Sequence, residues 1–246
     1  MTGDQRRARS FGAAVSQYQQ GRPEYLDEHV AWMLDGVDGP VLDLAAGSGK
    51  LTGSIQRLGF DVLAVDPDEQ MLAAISGVPT FVGQAEAIPL PDASVAAVTV
   101  GQAWHWFDPV AAGAEIARVL RPGGRLGLIW NTRDGAHPFV AELATIMGES
   151  AAEQMIDADL VTDVAGFTPF ACDRRSRIRQ MTPAEVEAMV ASRSAFITAG
   201  PEEQQVVMAG VRRLLATHPH ARGRDRIDYP LHSTAYRCDL IAVTEG

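Results

Sequence analysis

Val41-Leu42-Asp43-Leu44-Ala45-Ala46-Gly47-Ser48-Gly49-Lys50 runs a short apolar segment into a turn of small residues. Leu51, Ile55 and Leu58 follow at i, i+4 and i+7, one face of a helix. The stretch therefore reads as a buried strand, a tight glycine turn and a helix. Only small residues let a ligand lie against the backbone of such a turn. The helix start adds N–H groups with no partner inside the helix. Nineteen residues beyond Gly47, Asp66 ends the next apolar segment, and a carboxylate there can accept from both ribose hydroxyls of a nucleoside.

Outward from this unit, strands and helices alternate. Residues 61–66, 80–82, 95–100 and 125–130 read as strands two to five. Pro67 is expected to open a helix carrying Met71, Leu72 and Ile75, and a helix over 110–120 stops at Arg121-Pro122-Gly123-Gly124. This order predicts a doubly wound, mostly parallel sheet of Rossmann type. A leader helix with irregular ends is expected within 1–30. Beyond Asn131 the pattern changes, with helices expected near 138–149 and 157–164 and a strand over 175–180. Thr182-Pro183-Ala184-Glu185 combines a capping box with proline at the first helical position, opening a helix to about Arg193. Another helix covers 201–217, and two extended segments follow at 226–229 and 235–243. The whole chain, 1–246, reads as one domain. It comprises an N-terminal helical cap (1–35), a ligand-binding core (36–135) and a helical lid insertion (182–225).

Three ligand classes use a glycine turn of this kind. A phosphate-binding loop needs G-x-x-x-x-G-K-[ST], and here position 44 is leucine and Leu51 follows Lys50. A dinucleotide fold wants G-x-G-x-x-G, and position 52 is threonine. The third ligand is S-adenosylmethionine, whose positive sulfonium stands where a dinucleotide has its diphosphate. A carboxylate at Asp43 suits that ligand, either by meeting its amino group or by capping the loop's own N–H groups.

Composition narrows the function classes. The 246 residues are 46% hydrophobic and 21% charged, which suits a globular chain. A net charge of −10 leaves no general basic footprint for nucleic acid. The charge is uneven: residues 1–171 carry 10 basic and 22 acidic side chains, residues 172–246 carry 11 and 9. Lysine occurs once, at Lys50, and reads as a compositional bias towards arginine. No signal-peptide core or apolar run of about 18 residues is seen. Cys172 and Cys238 are too few for a disulfide scaffold, so a cytoplasmic protein without a membrane partner is expected.

Residues 41–134 resemble the class I S-adenosylmethionine-dependent methyltransferases, in the group that includes the small-molecule enzymes of ubiquinone type. The motifs that carry the resemblance are VLDLAAGSGK (41–50), VLAVDPDEQML (62–72), GQAEAIPLPDASVAAV (83–98) and RVLRPGG (118–124). Phe11-Gly12, Tyr18, Gly21-Arg22-Pro23 and QAWHWFD (102–108) are similar to the trans-aconitate methyltransferase-like branch. The resemblance implies a seven-stranded sheet with its last strand antiparallel, and S-adenosylmethionine as cofactor with S-adenosylhomocysteine as product. It implies that Gly47 and Gly49 approach the methionine part, beside Ala45, which stands where the family has its first glycine. Asp66 would bind the ribose. Pro67 and Met71 would lie near the adenine, with Gln84, Ala85 and Glu86 at its edge. Gln102 would sit by the methionine part, and Tyr18 and Arg22 would close over the cofactor's carboxylate.

His105, after strand four, is the candidate catalytic base for an acceptor that must lose a proton; a carboxylate acceptor needs none. Trp104 and Trp106 would wall off the methyl group, or else pack the following helix. Arg133 and Arg193 are candidate partners for an acidic acceptor. His218-Pro219-His220 reads as a helix end. The expected function is methyl transfer to a small molecule at a carboxylate or hydroxyl oxygen, by a monomer or homodimer with neither metal nor nucleic acid. A cofactor-binding sensor or partner subunit without turnover is the alternative, and a nicotinamide-dependent oxidoreductase is the third reading.

Overall fold

The computed structural model describes residues 23–148 and 163–242. The elements run α1 (Asp27–Met33), β1 (Val41–Leu44), α2 (Lys50–Arg57), β2 (Val62–Asp66), α3 (Glu69–Leu72), β3 (Thr80–Val82) and β4 (Val95–Gly101). A 3-10 turn (Trp104–Trp106) leads to α4 (Pro109–Val119), β5 (Leu120–Arg133) and α5 (Pro138–Met147). Then come β6 (Ala171–Met181), α6 (Pro183–Ala191), α7 (Ser194–Thr198), α8 (Pro201–Thr217) and β7 (Ile227–Asp239). Tyr18 and Arg22 lie outside the described residues, as does most of the helix expected at 157–164.

The strands form one seven-stranded sheet in the order β3-β2-β1-β4-β5-β7-β6. The first five are mutually parallel, and β7 is antiparallel to both β5 and β6. This is the Rossmann-like sheet expected, with the last strand reversed. Winding changes direction between β1 and β4, and that switch opens a crevice at the carboxyl ends of these two strands. Every residue of β1 is buried, because helices cover both faces of the sheet there. On one face α1 and α2 meet Val41, Ala97, Ile129 and Ala235. On the other, Ala112, Ile116 and Val119 of α4 meet Leu42, Val98, Leu128 and Trp130. A further apolar cluster joins α5, α6 and α8 to Met181, Ile227, Tyr229 and Leu231. The helices between β6 and β7 are thus packed on the sheet's far end.

Four local expectations change. Pro67 does not open α3; Asp68 is its N-cap, accepting from Gln70 N and Met71 N, and the helix is a single turn ending at Leu72. Strand five begins earlier than Arg125, at Leu120. The Arg-Pro-Gly-Gly stretch ends α4 but is a bulge within β5: Val95 pairs with Leu120 and Ala97 with Arg125. Gly124 is required there, because a Cβ would stand 2.9 Å from the Arg121 carbonyl oxygen. The two extended segments at the C-terminal end are one strand, β7, running through Pro230. Proline is tolerated because its carbonyl accepts from Asp134 N just past the end of β5, so its missing N–H faces the side where that ladder has finished. The strand expected at 175–180 is longer, Ala171–Met181. The capping box forms: Thr182 Oγ1 accepts from Glu185 N at 3.2 Å, and Thr182 N donates to Glu185 Oε2 at 2.7 Å.

Helix α1 is fixed across the sheet by a buried imidazole. His29 Nδ1 lies 2.9 Å from Ser233 Oγ on β7, and Nε2 lies 3.4 Å from Asp173 Oδ2 on β6. Burial holds the His29 pKa below its ordinary 6.5, against the opposing pull of Asp173. Below that pH the unfolded chain takes up a proton that the folded state resists, so this contribution to stability falls as pH drops. Replacing His29 by Gln, which does not titrate, is expected to flatten the fall in unfolding free energy between pH 7 and pH 5 measured in urea. Equal slopes for the two proteins would remove His29 from the pH response.

Candidate functional site

The crevice is built on the turn between β1 and α2. Ala45, Gly47 and Gly49 take φ of +58°, +55° and +88°, so alternate residues are left-handed. Glycine meets this freely, but alanine at position 45 carries a strain of roughly 1–2 kcal/mol. Side-chain size is therefore not the whole test at position 45: backbone conformation is the constraint. Gly49 is tighter still, since a Cβ would stand 2.8 Å from Ile75 Cγ1. The left-handed turns bring residues 45–48 into the wall of an open cleft.

Two carboxylates organise this turn. Asp43 is 1% exposed, and Thr52 on α2 donates to its Oδ2 at 2.6 Å. The threonine that breaks the dinucleotide fingerprint thus holds the strand's carboxylate. Asp43 Oδ1 has no hydrogen-bond partner among the described residues, and Asp43 lines the cleft. Burial pushes its pKa up to about 7, opposed by the Thr52 bonds and reinforced by the Asp66 charge. Asp66, also buried, accepts from Gly47 N at 2.8 Å and Asp68 N at 2.9 Å. Its pKa too is raised by burial. Asp66 thus holds the glycine turn from behind, and it is not among the cleft-lining residues.

Of the expected cofactor residues, Asp43, Ala45, Gly47 and Gln102 line the cleft together. Gln102 is itself left-handed (φ +61°) and donates from Nε2 to the Asn131 carbonyl at 3.2 Å, which ties the end of β4 to β5. Gly49 stands at the N-cap of α2. Met71 is buried, with its Cε 3.5 Å from where a Gly47 Cβ would sit, so it supports the turn from below. Pro67 is half-buried, Ala85 buried and Gln84 exposed; Gln84 forms a bridge with Ala87. Glu86 is engaged elsewhere: its Oε1 accepts from Asp108 N at 3.0 Å, joining the loop after β3 to the start of α4.

Among the acceptor-side candidates, His105 is half-buried with its ring 4.6 Å from that of Trp106. Trp104 is buried in the main core and meets Phe107 edge to face at 5.7 Å, so it packs α4's approach. Arg133 and Arg193, far apart in sequence, converge on one atom. Both donate to the Gly148 carbonyl after α5, at 3.2 and 3.4 Å. His218 closes α8 as its C-cap, as expected. The cleft also holds residues that sequence reasoning passed over: Tyr25, Ser48, Lys50 and Gly101. The single lysine is therefore not only a matter of composition. Gly101 carried a signal, a glycine closing a buried strand: a Cβ there would stand 2.5 Å from the Tyr25 hydroxyl. Ser48 is buried and its hydroxyl has no partner among the described residues.

Two cleft-lining residues, Asp43 and Ser48, therefore each hold a desolvated oxygen with no partner among the described residues, beside a close backbone. These groups fit a ligand that brings positive charge and N–H donors, and they disfavour a diphosphate. The raised Asp43 pKa has a measurable consequence. Between about pH 4 and pH 7 the folded state keeps a proton that the unfolded chain releases, so stability falls as pH rises through this window. Asp43→Asn is expected to unfold at higher urea concentration than the wild type at pH 8, by an amount on the order of a few kcal/mol. At pH 4 the two should nearly coincide. A difference that does not change with pH would contradict the buried carboxylate's role.

Comparison with known proteins agrees with this chemistry. A family profile described as a methyltransferase domain matches residues 42–128. An uncharacterized methyltransferase of Mycobacterium tuberculosis (strain ATCC 25618 / H37Rv) is 44% identical over 239 residues, covering 94% of this chain and 96% of that one. A malonyl-[acyl-carrier protein] O-methyltransferase of Methylococcus capsulatus is 32% identical over 196 residues, 68% of this chain and 67% of its own. Among solved structures, a candidate type II methyltransferase from Anaeromyxobacter dehalogenans has a TM-score of 0.68 at 21% identity, covering 90% of this chain and 99% of that one, a likeness of fold. Identity that runs nearly end to end along both chains goes beyond a shared fold: the chain belongs to the class I S-adenosylmethionine-dependent methyltransferases.

Proposed function

We propose that the protein methylates an oxygen of a small molecule, a carboxylate or a hydroxyl, by in-line displacement. The observation that carries the cofactor part of this reading is buried Asp43, a cleft-lining residue whose Oδ1 has no hydrogen-bond partner among the described residues. When bound, S-adenosylmethionine supplies an electrophilic methyl carbon on a sulfonium, so the protein's part is alignment, charge and exclusion of water. Asp43 and Ser48 would take the cofactor's N–H donors, the backbone of 45–47 would lie along its methionine part, and Asp66 would offer its remaining lone pairs to the ribose. Gln102, fixed to β5, would set the distance between the cofactor and the acceptor side.

The acceptor assignment rests on different groups. His105 follows the carboxyl end of β4, where open α/β sheets bind ligands, and Trp106 lies over its ring. It would take the proton of a hydroxyl acceptor. The convergence of Arg133 and Arg193 on Gly148 concentrates positive charge at the end of α5, which suits a carboxylate. The relative from Methylococcus capsulatus is by name an O-methyltransferase, and this supports oxygen as the accepting atom. A net charge of −10 argues against a nucleic-acid acceptor. Among the described residues no helix is long and apolar enough to cross a membrane. A cytoplasmic monomer or homodimer is the form we propose.

The test has two parts. Calorimetric titration should show micromolar binding of S-adenosylhomocysteine and none of NAD; the reverse would overturn the cofactor reading. A panel of small carboxylic acids, phenols and alcohols is then assayed with methyl-labelled S-adenosylmethionine. Cofactor binding without turnover on any of them would favour the sensor or partner-subunit alternative. For a hydroxyl acceptor, His105→Ala should lower kcat by roughly 10²–10⁴ and leave S-adenosylhomocysteine affinity unchanged. Full activity in that variant would remove His105 as the base.

A further inference from the structure

Pro23 and Tyr25 line the cleft together with the glycine turn, from a segment, residues 23–25, that precedes α1. Four contacts pin this short segment, each to a different element. The Glu24 carboxylate pairs with Lys50 Nζ at the start of α2. The Glu24 carbonyl accepts from Arg177 Nη1 on β6 at 3.0 Å, and Asn131 Nδ2 at the end of β5 lies 3.5 Å from the same oxygen. The Tyr25 ring lies against Gly101 at the end of β4, where a side chain would collide with it. Asn131 also receives Gln102 Nε2 on its own carbonyl, so the pins and the cleft floor share a residue.

Arg177 is the distant member. It sits on the sheet's edge strand, separated from β4 by β5 and β7. Register places it beside Leu231, which is itself paired with Arg133, so it shares a face with the carboxyl end of β5. It belongs to the arginine run 174–179, in which Arg175, Arg177 and Arg179 share one face and are partly buried, while Arg174 is exposed on the other. A guanidinium drawn out of water and spent on one backbone carbonyl is a costly arrangement unless that carbonyl must be held.

We propose that residues 23–25 are a strap that retains the cofactor, and that Arg177 is a positioning residue that holds it closed through the Glu24 carbonyl. The proposal rests on the reading of the cleft as the S-adenosylmethionine site. It gives one arginine of the run a task at a site two strands away. Lys50 and Asn131 share the load, so loss of Arg177 loosens the strap and does not abolish binding.

The experiment uses the full chain and four proteins: wild type, Arg177→Ala, Arg177→Lys and Arg174→Ala, the last altering the exposed face of the same strand. S-adenosylhomocysteine dissociation is followed by stopped flow and affinity by calorimetry. Arg177→Ala is expected to raise the dissociation rate roughly 10-fold. Arg177→Lys should recover part of that, because an ammonium can also donate to a carbonyl, and Arg174→Ala should match wild type. In parallel, hydrogen exchange at the amides of residues 24–26 in the ligand-free proteins should be faster in Arg177→Ala alone. A lowered Tm with unchanged affinity and dissociation rate would make Arg177 a structural residue of β6 and overturn the strap. Should wild type itself fail to bind S-adenosylhomocysteine, the cofactor reading fails. The exchange data then decide the strap alone, and unchanged exchange in Arg177→Ala would refute it.

Discussion

Burying a carboxylate at the end of a central parallel strand is expensive, and the architecture around the cleft follows from how Asp43 is accommodated. Strand β1 is covered on both faces, so Asp43 is almost wholly out of bulk water. Thr52, the third residue of α2, satisfies one of its oxygens. That bond fixes how far α2 stands from β1 and leaves the intervening residues 45–49 too short for an ordinary loop. The chain closes the gap by placing Ala45, Gly47 and Gly49 in left-handed conformations, which turn their backbone towards the cleft. The second oxygen has no hydrogen-bond partner among the described residues. The burial cost is thus held in the ligand-free protein, and a ligand that donates to that oxygen or brings positive charge relieves it.

The other wall obeys a different logic. Residues 23–25 have no regular structure of their own and depend on contacts with α2, β4, β5 and β6. They lead into α1, which His29 fastens to β7 and β6. One wall of the cleft is therefore local, set within ten residues of chain, and the other is assembled from partners scattered over more than 150 positions. The local wall carries the buried Asp43 carboxylate, and the assembled wall ties the cleft to the far half of the sheet.

This division explains what was legible in the sequence. The strand–turn–helix unit was, because its signals lie within a single stretch: apolar run, glycines, i/i+4/i+7 spacing. The capping box at Thr182 and the short strand Thr80–Val82 were legible for the same reason. Asp43, Ala45, Gly47 and Gln102, which the sequence motifs group around one ligand, do line one cleft. Tyr25, Lys50 and Arg177 were not, because each acquires its meaning from a partner distant in sequence. Pro230 misled because its tolerance depends on where a neighbouring strand ends. The bulge at Gly123-Gly124 misled because a breaker and a bulge use the same residues. Pro67 misled because proline suits a helix start, while the Asp68 side chain, one residue on, caps α3 better.

The sheet order then separates two tasks along one edge. On the proposed reading the β1–β4 half would carry the cofactor chemistry; the residues it contributes to the cleft fall in the stretch matched by the methyltransferase-domain profile. The β5–β7–β6 half, with α5 to α8 packed on it, carries Arg133 and Arg193 and is where the resemblance fades. A methyl donor is the same molecule in every member of the family, so the half that binds it has little room to vary. The acceptor differs from member to member, and the half free to change is the one joined to the first by Gln102 and Asn131. On the proposed reading those two residues would set the spacing between donor and acceptor. In-line transfer tolerates variation in what the acceptor is far better than variation in where it stands.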